Sequence, residues 1–77
     1  MSGALDKSEY VVVYEKTSTG YSAYVPDLPG CITTGPTLTD TKKSMQEAIR
    51  GHVAVMREFG DPIPQPTTVA ECMQVSA

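Results

Sequence analysis

Residues 10–25 read YVVVYEKTSTGYSAYV, and they carry strong strand and turn signals. It opens with Tyr10–Tyr14, five β-branched or aromatic residues in a row, which are typical of a strand. The middle, residues 16–20, has the composition of a turn, with Gly20 available for a positive φ. Tyr21–Val25 then has the composition of a returning strand. The stretch therefore predicts a β-hairpin.

A third strand is predicted after the hairpin. The segment Pro26-Asp27-Leu28-Pro29-Gly30 reverses the chain, because two prolines remove ladder donors and a Pro-Gly pair favours a turn. Cys31–Thr34 is short and β-favouring, and it ends at Gly35 and Pro36. Three successive strands with short connections predict an antiparallel meander.

A long helix, at about residues 38–59, follows the meander. Thr37 is suited to be its N-cap, Gly60 its C-cap, and Pro62 prevents its continuation. The spacing of the apolar positions is close to 3.6 residues, which is typical of an amphipathic helix. This stripe comprises Leu38, Met45, Ile49, His52, Val53 and Met56.

The C-terminal segment allows two interpretations. Val69–Met73 is compatible with one helical turn, whereas Glu71–Val75 alternates with period 2, as a strand does. We favour the strand, which predicts an α+β two-layer fold of order βββαβ with sheet order 3-2-1-4 and a right-handed crossover. Residues 1–8 are predicted to be a flexible terminus and residues 9–77 a single domain, without a DNA-binding domain.

Composition and charge exclude several functional classes. The 77 residues contain nine acids and six bases, for a net charge of -3, which disfavours direct binding of nucleic acid. No apolar run approaches the roughly 20 residues of a membrane span, and no signal peptide begins the chain, so a cytoplasmic location is expected. One histidine and two cysteines are too few for a self-contained zinc site, and no cofactor or metal is predicted.

The predicted sheet has more apolar surface than one helix covers. If Tyr10, Val12 and Tyr14 face the helix, then alternation directs Val11 and Val13 to the opposite face, together with Tyr24. An exposed apolar patch of this kind marks an interface more often than ordinary surface. Val11, Val13 and Tyr24 are therefore the candidate interface, and a homo-oligomer, dimer or tetramer, is expected.

An enzymatic function has little support in the sequence. Cys31 and His52 would be brought together by packing of the strand on the helix, which allows a thiol hydrolase as a hypothesis. No residue is identified that would orient the imidazole or form an oxyanion site, and there is no phosphate-binding loop or acid–base pair. The chain is therefore expected not to be an enzyme.

Several motifs together resemble the signature of the HicB-like antitoxin family. They are Gly20-Tyr21, the run AYVPDLPGC at residues 23–31, then Thr33, Gly35, His52, the EFG at 58–60 and the IPQP at 63–66. The resemblance covers about residues 9–75. Its most specific part is the family-motif loop of Pro26, Asp27, Leu28, Pro29, Gly30 and Cys31.

The resemblance implies a fold similar to a partial RNase H fold, without matching positions for nuclease carboxylates. Members of this family typically neutralise a HicA toxin, a basic mRNA-cleaving protein, by covering its active surface. The implied function is thus a non-enzymatic binding module that self-associates and masks a HicA-like toxin. The alternative is an orphan homo-oligomeric domain with a regulatory or structural role and no toxin partner.

Overall fold

A computed structural model describes residues 9–76 of the chain. In chain order it contains the strands β1 (Val13–Lys16), β2 (Tyr21–Tyr24) and β3 (Ile32–Gly35), followed by the helix α1 (Leu38–Glu58). The predicted three strands and one long helix are confirmed, and the fold is α+β. The prediction for residues 1–8 falls outside the described part of the chain.

The three strands form an antiparallel meander in the order β1-β2-β3. Val13 lies opposite Tyr24, and Tyr24 lies opposite Ile32. The next row is Tyr14, Ala23 and Thr33, and Ala23 in this row is only 2% exposed. Because residues directly opposite each other share a face, the second row faces the helix and the first row faces away from it.

β1 begins three residues later than the strand predicted from composition. Its partner β2 ends at Tyr24. The Val25 N–H faces β3, where it donates to the Cys31 carbonyl at 3.2 Å, and Pro26, the next residue that would face β1, has no N–H. Residues 10–12 therefore lack a ladder partner within their own described chain, although their composition favours a strand. The proline after β2, together with the register, sets this boundary.

Both ends of α1 are capped as the sequence predicts. The Thr37 side chain accepts a hydrogen bond from the Asp40 N–H at 3.1 Å. At the other end Gly60 has a φ of 71°, its N–H donates to Arg57, and the Asp61 N–H donates to Met56 at 2.8 Å. This pair of bonds is a Schellman motif, in which glycine allows the left-handed residue that closes the helix.

The core lies between the helix and one face of the sheet. Its buried apolar side chains come from β2, from the loop after it and from α1: Ala23, Val25, Leu28, Cys31 and Met45. Thr41 is also fully buried, and its hydroxyl donates to the Thr37 carbonyl at 2.7 Å. α1 packs mainly against β2 and β3, which leaves the helix-facing side of β1 only partly covered.

The structure does not show the predicted fourth strand or the sheet order 3-2-1-4. Residues 61–76 contain neither helix nor strand, and no turn or bend, so the helical-turn alternative does not form either. The reason is a tether: Thr67 and Thr68 are hydrogen-bonded to Asp27 in the loop between β2 and β3. This attachment holds the segment beside that loop and away from the free edge of β1.

Candidate functional site

An apolar row crosses the face of the sheet that the helix does not cover. It consists of Val13, Tyr24 and Ile32, one from each strand and directly opposite one another. Val13 is half-buried, Tyr24 is 40% exposed and Ile32 is 69% exposed. Val11 precedes Val13 by two residues and is also half-buried, so alternation extends the row by one position. We call Val11, Val13, Tyr24 and Ile32 the outer row.

The structure places Val13 and Tyr24, two of the three residues that the sequence proposed as an interface, opposite each other and adds Ile32. Val11 precedes β1 and joins the row by alternation alone. The sequence reasoning missed Ile32 because the facing of a four-residue strand depends on its register with the neighbouring strand. A signal was present, since Ile32 is the only large aliphatic residue in the predicted third strand. Its partner Tyr24 is known only once the loop length and hydrogen bonds are known.

The loop Pro26–Cys31 is both a chain reversal and part of the core. The Leu28 N–H donates to Val25 at 3.1 Å, and the Cys31 N–H donates to Leu28 at 3.0 Å. Gly30 adopts a φ of 83°, a conformation that glycine takes without steric cost. Leu28 is fully buried and Cys31 is 3% exposed, so this loop points two apolar side chains inward. The residues of this motif therefore have a structural role, in the chain reversal and in the core.

Asp27 fastens the C-terminal segment to this loop. The backbone N–H groups of Thr67 and Thr68 both donate to Oδ2 of Asp27 at 3.0 Å. Their hydroxyls donate to Oδ1, at 3.0 Å from Thr67 and 2.9 Å from Thr68. A second attachment is the Tyr10 hydroxyl, which donates to the Pro64 carbonyl at 2.6 Å. Sequence reasoning assigned Asp27 only to a turn, because partners 40 residues away leave no local pattern.

The pKa of Asp27 lies below its ordinary value because four donors stabilise the charged carboxylate. The backbone bond from Thr68 is the largest cause, and partial desolvation opposes it. A lowered folded-state pKa means that the attachment is complete above the unfolded pKa of about 4. It is lost as the pH falls through the lower, folded-state value, when the carboxyl becomes protonated.

Acidification and the substitution Asp27→Ala are both expected to release residues 67–76. An alanine removes both carboxylate oxygens, so all four hydrogen bonds are lost. In two-dimensional NMR, the Thr67 and Thr68 amide resonances should move toward coil positions below about pH 4 in the native chain. In Asp27→Ala they should lie near those positions already at pH 7.

The matched control for that experiment is Asp61→Ala. Asp61 is exposed, lies on the same C-terminal segment and uses only its backbone N–H in the helix cap. Its substitution removes the same charge without touching the Asp27 carboxylate. Thr67 and Thr68 resonances that are the same in Asp27→Ala as in the native chain would contradict the assignment of Asp27 as the tether.

Cys31 and His52 line one shallow pocket of about 450 Å³ between the start of β3 and α1. The structure thus brings the two residues of the hydrolase hypothesis to the same place. Burial, however, raises the pKa of the Cys31 thiol, whereas a nucleophilic cysteine needs a lowered pKa. The pocket is otherwise mainly apolar, with Ile32, Ala48, Val55 and Met56 among its walls. Its chemistry favours packing over catalysis.

Residues 9–76 contain neither a metal-binding cluster nor a membrane-spanning helix. In this part of the chain no three histidine, cysteine, aspartate or glutamate side chains lie close enough together to hold a metal ion. None of its helical structure has the length and apolar character needed to cross a membrane. Cys31 and Cys72 are both free thiols, the first buried and the second exposed.

Comparison with known proteins places this arrangement in a family. Residues 10–77 match the family described as the HicB_like antitoxin of bacterial toxin-antitoxin system. The chain belongs to the HicB-like antitoxin family. The resemblance inferred from the loop 26–31 and its flanking motifs is thereby confirmed.

Two relatives of this HicB-like chain are proteins of unassigned function. An uncharacterised 14.9 kDa protein from the rep-hol intergenic region of Haemophilus phage HP1 is 34% identical over 62 residues, covering 80% of this chain. The chain spans only 47% of that phage protein. The UPF0150 protein Ta0767 of Thermoplasma acidophilum is 34% identical over 58 residues, covering 74% of this chain and 84% of the relative.

A solved structure shares the HicB-like fold. It is a chain of the HicA3 and HicB3 toxin-antitoxin complex, with a TM-score of 0.68 and 33% sequence identity. The match covers 78% of this chain and 70% of the other.

Proposed function

We propose that this domain is a non-enzymatic antitoxin module that binds a HicA-like toxin and masks its RNA-cleaving surface. The observation that carries the proposal is the outer row, an exposed apolar surface on a chain of the HicB-like antitoxin family. The similar fold in the HicA3 and HicB3 complex supports the choice of partner. We also propose that the domain self-associates, and that it acts in the cytoplasm, where mRNA is exposed to such a toxin.

The outer row has the features of a binding centre. Its middle member Tyr24 is an aromatic side chain of the kind enriched at hot spots, and Ile32 beside it is mostly exposed. Flanking residues on the same face are polar, namely Glu15, Ser22 and Thr34, which form a rim around the apolar centre. A net charge of -3 would speed encounter with a basic toxin and make association sensitive to salt.

The experiment is titration of the purified chain against a HicA-like toxin, with binding measured by calorimetry and RNA cleavage measured in parallel. The native chain is expected to bind reversibly and to stop cleavage. Ile32→Asp places a charge within the apolar row, beside Tyr24, and should weaken binding by at least about 30-fold, equivalent to the loss of a 2 kcal/mol hot spot. Because Ile32 is 69% exposed in the free chain, the variant should keep its fold.

Thr34→Asp is the matched control. Thr34 lies on the same strand and the same exposed face, two residues from Ile32, and the substitution adds the same charge outside the apolar row. It should change affinity by only a few-fold. Equal losses from both variants would indicate a general charge effect and count against the outer row. No binding to any toxin encoded beside the chain would refute the antitoxin function itself.

A further inference from the structure

We propose that residues 69–75 form a strand in trans, pairing with the free β1 edge of a second copy of this chain and filling the groove beside it. The proposal deepens the self-association part of the proposed function and does not depend on the toxin. The chain contains both a donor segment, whose apolar side chains are exposed, and an acceptor site, whose strand edge has no hydrogen-bond partner in the described chain. The outer row lies on the opposite face of the sheet and is not used.

The donor is an apolar segment without partners. Val69 is 87% exposed, Met73 is 76% exposed and Val75 is 83% exposed. The hydrogen bonds of this segment within the described chain end at Thr67 and Thr68, and residues 69–76 make none. Their backbone contains no turn or bend. Val69, Met73 and Val75 fall on one side of an extended strand, so pairing would bury all three together.

The donor is long enough for an edge strand. A strand of seven residues reaches about 23 Å, enough to span the length of a neighbouring edge strand.

The acceptor is the groove between β1 and α1, which we call the β1 groove. Two adjoining cavities of about 400 and 410 Å³ share Gln46 and Ile49 as lining residues and so form one groove. The strand side is lined by Tyr10, Val12 and Tyr14, at every second position. All three are only partly buried, which shows that α1 alone does not cover this part of the sheet.

The backbone beside the groove also lacks a partner. β1 is an edge strand, and residues 10–12 before it have strand-like composition but no ladder bonds in the described chain. Half-buried backbone groups are normally paired, so this edge is a template for an added strand. A β-strand laid along it would satisfy the edge of one copy and the segment 69–75 of the other.

The same chain cannot fill its own groove while Asp27 holds Thr67 and Thr68. That tether fixes the start of the donor at the loop between β2 and β3, and the donor continues without reversing direction. A second copy meets no such constraint. In a two-fold dimer each chain would donate one segment and accept one, so both incomplete features are resolved by one contact.

Charge selects a second copy over a basic protein as the occupant. The helix wall of the groove carries four basic residues, Lys42, Lys43, Arg50 and Arg57. The only charged residue of the segment 69–76 is Glu71, which is acidic. An acidic strand is attracted to this wall, whereas a basic partner would be repelled.

Light scattering of the full chain over a range of concentrations gives the first test. The native chain is expected at twice the mass of one chain. The variant Val69→Lys/Met73→Lys should weaken the dimer by at least about 30-fold, because it places positive charges against the basic helix wall, where apolar side chains would be buried. Neither side chain packs in its own chain, so the melting temperature of the dissociated protein should stay unchanged. Cys72→Lys/Gln74→Lys, which adds the same two charges on the other side of the strand, is the matched control.

Disulfide trapping gives the second test. In a Cys72→Ser background, Met73→Cys is combined with Gln46→Cys, in the centre of the groove, or with Glu47→Cys, an exposed helix position outside it. The Gln46 combination should form a covalent dimer on a non-reducing gel at least tenfold faster than the Glu47 combination.

Each other outcome overturns the proposal in a distinct way. A chain that stays monomeric at every concentration removes the self-association as well, and leaves toxin binding to be judged on its own. A dimer that is unchanged by Val69→Lys/Met73→Lys, or that traps both cysteine pairs equally, associates through another surface. Loss of toxin binding in the tail variant, with the dimer intact, would assign residues 69–75 to the toxin instead.

Discussion

Replacing Leu28 by alanine is expected to lower the free energy of unfolding by about 2–5 kcal/mol, the range for a buried leucine. Leu28 is completely buried although it lies in a loop, and it packs with Val25, Cys31 and Met45. Its loss leaves a cavity at the point where the loop meets the helix. For a domain of this size the melting temperature should fall by about 10–20 °C or more.

Two further variants keep the Leu28 prediction testable if the alanine variant does not fold. Leu28→Met conserves volume and should cost less than about 1.5 kcal/mol. Leu38→Ala removes the same atoms from a side chain that is 37% exposed at the start of α1, and should cost clearly less than Leu28→Ala. Chemical denaturation measures all three. Similar losses at Leu28 and Leu38 would show that the loop is not part of the core.

Gly20→Ala should destabilise the domain by about 1–3 kcal/mol, as overpacking of a close contact does. Gly20 does not adopt the positive φ that the turn composition predicts, since the left-handed residues of the described chain are Gly30 and Gly60. Glycine is required at position 20 because a side chain there has no room. A Cβ at this position would meet the Gly35 carbonyl oxygen, and the Pro36 Cα at 2.8 Å. Both are backbone atoms, so the neighbouring strand would have to move.

Gly51→Ala is the matched control and should act in the opposite direction. Gly51 lies inside α1, and a Cβ there would meet nothing within 4 Å. The same substitution should stabilise the domain by up to about 1 kcal/mol through helix propensity. Thermal unfolding of both variants checks the pair of predictions. A stabilised Gly20→Ala would show that the β1–β2 turn and the end of β3 are not in close contact.

Features that depend on short-range chemistry were predicted from the sequence. Thr37 and Gly60 bound the helix because capping involves only the neighbouring three or four residues. The alternating and 3.6-residue periods identified the strands and the helix for the same reason. The motifs around Pro26–Cys31 also led to the correct family, and Val13 and Tyr24 lie on one face as predicted. The role of Val11, Val13 and Tyr24 as an interface stays a prediction.

The ends of the strands and the full extent of the outer row could be determined only from the register between neighbouring strands. β1 starts at Val13 because the register places Pro26, which has no N–H, beside the residues before it, and Ile32 joins the row because it lies opposite Tyr24. The position of Gly20 against Gly35 likewise depends on how β2 and β3 align. Such facts are set by pairing between strands, and no local pattern contains them.

The hairpin, the meander and the capped helix could be predicted from the sequence, because each follows from interactions among near neighbours, and the motifs led to the family. The path of the C-terminal segment could not. Its alternation predicts a strand, but the structure has none there, and Asp27 instead binds Thr67 and Thr68 across 40 residues. A strand needs a partner edge within reach, and reach is a property of the folded chain.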